Sequence, residues 1–176
     1  MASHVPASGR LGGIVRYTVE LARALERRDD VELHLLTSAA AAEPLMGLVG
    51  GDRGRVHAAP AAADRVLPAW ERWVLGTRLG GLGDRFDVVH GVKHLVPRGV
   101  RARTALTVHD MVLTDRPQDF PLPKRVLLQR PYAASIRQAD ALVCVSEATR
   151  TALLAHHPDA ADRASVVLSA TSPALL

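Results

Sequence analysis

Two apolar runs in the second half of the chain each lead straight into polar residues. Ala105-Leu106-Thr107-Val108 runs into His109-Asp110, and Ala141-Leu142-Val143-Cys144-Val145 into Ser146-Glu147. In an open parallel sheet ligands bind in the crevice beyond the carboxyl ends of the strands, so imidazole, carboxylate and hydroxyl groups placed there are suited to holding and positioning a ligand. A third apolar run, Val88-Val89, ends on His90, with Lys93 and His94 just beyond. His90 and His94 lie four apart, but at a strand end and in a loop with no cysteine or carboxylate cluster beside them, so no metal site is expected. Gly12-Gly13 precedes a helical pattern. There the backbone can approach a ligand closely, and the helix start offers unpaired amides to a phosphate.

The elements that must position these residues alternate. Ile14, Tyr17, Leu21 and Leu25 fall at helical spacing over 14–25. A strand is expected over 31–37 and a short one around Val56, followed by a helix over 66–79. The remaining pattern predicts strands at 88–90 and 104–109, a helix over 124–138, a strand at 141–145, a helix over 147–156 and a last strand at 165–168. Ala39-Ala40-Ala41-Ala42 reads as a loop or short helix, and Pro131 predicts a kink or a delayed start in its helix. Strands alternating with helices imply an α/β protein with a Rossmann-like, doubly wound, mostly parallel sheet in a single domain, residues 12–176, after a loop-like start over 1–11. Met1 to Arg10 holds Val5 as its only strongly β-forming residue, so the first strand of such a fold is apparently missing. A gap, a different pairing or a strand borrowed from a partner then becomes the expectation.

Composition narrows the function classes. The 176 residues are 48% hydrophobic and 3% aromatic, enough to bury a sizeable core. A net charge of +4 with a pI near 10 favours anionic partners. The arginines are interleaved with Asp and Glu and no nucleic-acid motif accompanies them, so nucleic acid is not the expected partner. Cys144 is the single cysteine and falls inside an apolar strand, the setting of an inert buried thiol in a reducing compartment. No apolar run reaches the ~18 residues that span a bilayer, and the start lacks a secretory pattern, which places the protein in the cytoplasm. Val66, Trp70 and Trp73 with Arg65 and Arg72 suit a membrane interface at its inner face. Leu67, Val74 and Leu75 widen that apolar arc, however, so core packing is the expected role. The dinucleotide Gly-x-Gly-x-x-Gly pattern and the phosphate-loop Gly-Lys-Ser/Thr pattern are absent, which argues against ordinary NAD binding and P-loop hydrolysis.

Three segments together resemble one family. Gly-Gly-Ile-Val-Arg-Tyr-Thr-Val-Glu-Leu-Ala-Arg-Ala-Leu at 12–25, Thr-Val-His-Asp at 107–110 and Ala-Asp-Ala-Leu-Val-Cys-Val-Ser-Glu-Ala-Thr-Arg at 139–150 are similar to the amino-terminal domain of GT-B glycosyltransferases of family 4. The resemblance covers nearly the whole chain. It implies retaining, usually metal-independent glycosyl transfer from a nucleotide sugar in a cleft between two Rossmann-like domains, with no cofactor and with this half shaping the acceptor side. It further implies that Gly12 and Gly13 lie near the donor diphosphate, with Tyr17 on the same helix binding substrate, and that the catalytic His109 contacts the donor sugar or helps position the reacting groups. Asp110, Ser146 and Glu147 would bind substrate beside it; His90 and Lys93, by their strand-end position, are expected to line the acceptor side of the cleft. Ser146 is also a good N-cap, and a capping role is its default; Thr149, three residues on, lacks the carboxylate of a capping box.

Departures from the family pattern shape the remaining expectations. The Arg, Lys and Glu-x7-Glu elements of the family's second domain are not in this sequence, and Leu168 and Ser169-Ala170 stand where the family has Pro and Asn-Gly. The expectation is an amino-terminal half that is inactive until a donor-binding domain or subunit is supplied. The alternative is a non-catalytic binding or oligomerisation module, for which apolar surface at the interface predicts self-association. His156-His157 before Pro158 is expected to cap a helix end, where imidazolium complements the dipole.

Overall fold

The computed structural model describes residues 12–58 and 86–169. The expectations for the first strand, for the 66–79 helix with Trp70 and Trp73, and for Ala170-Thr171 fall outside these residues. Two compact units divide the chain, with the described residues 12–58 in the first and 86–169 in the second.

In the first unit, α1 (Gly13–Glu26) starts after Gly12, whose extended backbone forms the N-cap. The buried stripe of α1 is Val15, Thr18 and Ala22, while Ile14, Tyr17, Leu21 and Leu25 are half-buried, one position off the expected face. Small residues let the helix approach closely, and the Thr18 hydroxyl satisfies itself by donating to the Ile14 carbonyl at 2.9 Å. Strand β1 is shorter than expected, Leu35–Thr37, and pairs in parallel with β2 (Val56–Ala58) from Leu35↔Val56 to Thr37↔Ala58. Residues 31–34 make no ladder pairing among the described residues. The alanine run forms α2 (Ala39–Leu45), whose Ala41 and Leu45 join Val15, Ala22, Leu35 and Val49 in a small core. Arg55 reaches Glu26 with two bonds of 3.0 and 2.6 Å and the Val49 carbonyl at 2.8 Å, tying the end of α1 to the start of β2.

The second unit is built on a four-stranded sheet, all parallel, in the order β3 (Val88–Gly91), β4 (Arg103–Val108), β5 (Ala141–Cys144), β6 (Ala164–Val166). A short turn of helix, α3 (Val112–Asp115), follows β4, then α4 (Leu122–Gln138) returns to β5, and α5 (Glu147–His156) joins β5 to β6. Register partners Leu106↔Leu142 and Val108↔Cys144 share a face, and Tyr132 and Ile136 of α4 with Leu153 of α5 pack on them as one core. Cys144 is fully buried, and burial pushes its thiol pKa up, as an inert thiol requires.

Pro131 does not delay α4, which begins at Leu122, before the expected start, and runs through the proline to Gln138. Pro121 and Pro123 lack amides that a helix start would leave unpaired, so they set the beginning instead. Arg163 caps the other end, donating to the carbonyls of Ile136 and Ala139 that the helix leaves open. At the amino-terminal edge of the sheet Asp140 accepts from the Thr104 amide at 2.7 Å and its hydroxyl at 2.9 Å, bonds that hold the Asp140 carboxyl below its usual range and fix β4 against β5.

Candidate functional site at the carboxyl ends of the sheet

The strand ends of the second unit are stitched to one another beyond the regular ladder. The Val145 amide donates to Val108 at 3.3 Å and the Val167 amide to Cys144 at 2.9 Å. His109 follows β4 directly, and its Nε2 donates to the Val92 carbonyl at 2.9 Å, joining the ends of β4 and β3. With Nε2 committed as the donor, the neutral ring carries its lone pair on Nδ1. His109 is half-buried and Asp110 exposed, so neither belongs to the core. Asp110 Oδ1 accepts from the Val112 amide at 3.0 Å, and its carbonyl accepts from the hydroxyl of Tyr132 at 3.0 Å.

Ser146 takes its expected capping role. Its Oγ accepts from the Thr149 amide at 3.1 Å, and Glu147 opens α5 where a carboxylate favours the dipole. Thr149 supplies what a capping-box carboxylate would not: its hydroxyl donates to the His109 carbonyl at 3.1 Å and lies 3.0 Å from Ser146 Oγ. A hydroxyl relay thereby fixes the His109 backbone to the start of α5. The polar spacing Ser-x-x-Thr was visible in the sequence, but the partner forty residues away was not.

His90 and Lys93 lie at and just after the end of β3, both half-buried. His90 Nε2 is 2.9 Å from Thr107 Oγ1 on the central strand. The His94 ring stands edge-on to Tyr132 at 5.2 Å. Burial pushes both imidazoles down from 6.5 to about 4, with His109 adding a smaller contribution in each case and Lys93 a further one at His94.

Gly91 is a residue that the strand pattern did not single out. A Cβ there would lie 2.2 Å from the Leu95 carbonyl oxygen, so the loop after β3 folds back over the strand at a distance only glycine allows. The loop is then pinned on α4, with the Val96 amide donating to Ser135 Oγ at 3.2 Å and Gln138 Nε2 to the Pro97 carbonyl at 2.6 Å. Gly91→Ala is expected to destabilise the second unit by about 3 kcal/mol, because the obstructing atom is backbone and cannot swing aside. Gly12→Ala and Gly13→Ala, whose added Cβ would meet nothing within 4 Å, are expected to leave stability within ~0.5 kcal/mol. Urea unfolding of the three variants checks the contrast; equal losses would contradict it.

Gly12, Gly13 and Tyr17 stand together at the start of α1 in the first unit. Gly12 and Gly13 are exposed, with negative φ at Gly12 and open space around both, so neither backbone strain nor packing demands glycine there. A shallow hollow of about 380 Å³ lined by Arg23, Glu26, Arg27, Pro44, Gly47 and Leu48 lies at the other end of that helix. His157 corrects an expectation. It is buried and its pKa is pushed down by burial, so it serves the helix end through its amide, which donates to Leu153 at 2.8 Å, and not as an imidazolium. Its neighbour His156 instead faces Asp115 of α3. Among the described residues no group of three or more His, Cys, Asp or Glu could hold a metal ion, and no helix is long and apolar enough to cross a membrane.

A parallel α/β sheet with helical crossovers, carrying His90, His109 and Ser146 at its carboxyl ends, defines a Rossmann-like architecture. The family model described as Glycosyltransferase Family 4 matches residues 11–171, through both units, and the chain belongs to that family. Comparison with curated proteins and with solved structures returned no match.

Proposed function

We propose that this glycosyltransferase domain forms the acceptor side of a retaining sugar transfer from a nucleotide sugar. In such a transfer the bond from the anomeric carbon to the nucleotide diphosphate breaks, a bond to an acceptor oxygen forms on the same face, and the acceptor hydroxyl loses its proton. The observation that carries the reading is the placement of His109 in a family member: at the end of a central strand, half-buried, its ring oriented through Nε2 by the Val92 carbonyl. His109 is assigned to the donor sugar and the reacting groups. Asp110, Ser146 and Glu147 flank it, and His90 and Lys93 face the acceptor. In the first unit, Gly12 and Gly13 leave open space at a helix start, which suits close approach of a diphosphate, with Tyr17 one turn further on. The nucleotide itself is held by a second, donor-binding domain, and the buried thiol of Cys144 suits a reducing, cytoplasmic setting.

The test is transfer from a panel of nucleotide sugars to lipid and sugar acceptors, using the chain alone and joined to a family 4 donor-binding domain. Turnover with the joined domain, abolished when residues 1–176 are left out, is the expected result. No turnover in any combination would overturn the reading and leave a non-catalytic binding or self-associating module.

A further inference from the structure

Two buried side-chain atoms in the described structure have no hydrogen-bond partner, His94 Nδ1 and Arg125 Nε. Stranding such a group forfeits the hydration it had in the unfolded chain, so native folds keep it for a reason. Both atoms belong to the crevice end of the second unit. His94 rests against Tyr132, and Arg125 lies seven residues before Tyr132 on the stripe of α4 that turns inward through Leu128, Tyr132 and Ser135. Lys93 and Lys124 are close enough to the His94 ring to oppose its protonation. The Lys124 ammonium is held 4.4 Å above the Phe120 ring. Helix α4 carries no acidic residue at all, against Lys124, Arg125, Arg130 and Arg137. Asp110 is the carboxylate that faces His94, and one of its oxygens is already engaged by the Val112 amide.

We infer that His94, Lys93, Lys124 and Arg125 form a phosphate-binding subsite that takes a phosphoryl group of the acceptor. Every group in the set can donate: an Nδ1–H tautomer of His94, the Arg125 Nε–H and two ammoniums match the oxygens of a dianion. The dianion repays the two stranded atoms and offsets the mutual repulsion of the cations. Phosphate chemistry of this kind comes either from a soluble phosphorylated acceptor or from a lipid headgroup. Leu122, Val126 and Leu127, 66, 68 and 52% exposed on the same turns of α4, would favour the second source.

The inference rests on the acceptor-side reading above, but its test needs no sugar transfer, so the two fail separately. Inorganic phosphate is titrated into the full chain and followed by calorimetry and by the histidine ring signals in NMR. Saturable one-to-one binding is expected, with the His94 signals shifting and its protonation moving to higher pH. Lys124→Gln, on the exposed side of the helix, and Arg125→Gln are each expected to weaken binding about tenfold, and Arg125→Lys to restore part of it. Vesicles of phosphatidylcholine with and without phosphatidylglycerol separate the sources. Binding to the anionic vesicles that Lys124→Gln weakens assigns a lipid phosphate; phosphate binding without vesicle binding assigns a soluble acceptor. No saturable phosphate binding, or binding that both Gln variants leave unchanged, overturns the subsite.

Discussion

Acidifying the protein from pH 7 to pH 4 is expected to remove about 3 kcal/mol of stability for each of His90 and His94. Both rings are buried neutral, and burial holds each near 4 where the unfolded chain protonates at 6.5. Between those values the unfolded state binds a proton that the folded state refuses, so stability falls as the pH falls and levels off below about 4. Each ring contributes a slope of about 1.4 kcal/mol per pH unit in that window. Asp140, whose carboxyl is held low by the Thr104 bonds, adds a further loss only below 3.8, where its unfolded counterpart takes a proton first. Urea unfolding at half-unit steps from pH 7 to 4 measures the slope. His94→Phe keeps an aromatic ring against Tyr132 while removing one titration, and is expected to lower the slope between pH 5 and 6 by about 1 kcal/mol per pH unit. An unchanged slope would show that His94 is protonated inside the fold.

Substitution of His109 is the second large effect, and the geometry separates its two roles. Glutamine can place an amide N–H where His109 Nε2 donates to Val92, preserving the tie between β4 and the β3 loop. Asparagine overlays the Nδ1 side and abandons that tie. If the ring acts on the sugar through Nδ1, His109→Gln folds normally and loses transfer by ~100-fold or more, the scale of a positioned proton-transfer or hydrogen-bonding group. A purely structural histidine would give the opposite ranking, with glutamine nearly active and asparagine unstable.

Legibility in the sequence followed range. Helix α5 was readable to its last residue, Glu147–His156, because Ser146 caps it locally and Pro158 closes it. Strands β4 and β5 were readable because their unbroken apolar runs, ending in polar residues, carry their own signal in a parallel sheet. Strand β1 came out shorter because pairing, not alternation, decides where a strand starts, and only Leu35 to Thr37 meet β2. Helix α4 starts two residues before the expected Lys124, because Pro123 at a helix start costs no hydrogen bond and carries no periodic signal of its own.

At the strand ends, the polar candidates are legible by type and position, whereas the residues that hold them in place are not. Gly91 is needed because of Leu95, Thr149 because of the His109 carbonyl, and Tyr132 because of the Asp110 carbonyl. All three answer to backbone atoms that only folding brings near. A glycine just past the expected strand 88–90 and ahead of Val92-Lys93-His94 was the one signal that could have marked Gly91.

Under the proposed function, sugar transfer takes place at the carboxyl ends of β3, β4 and β5 and depends on the His109 ring. The most direct measurement is the transfer rate of His109→Gln against the parent, both joined to a donor-binding domain and compared at equal fraction folded by urea titration. A kcat reduced ~100-fold or more with unchanged unfolding midpoint is the predicted result. A variant that transfers sugar at the parental rate would contradict it and move the chemistry away from this strand end.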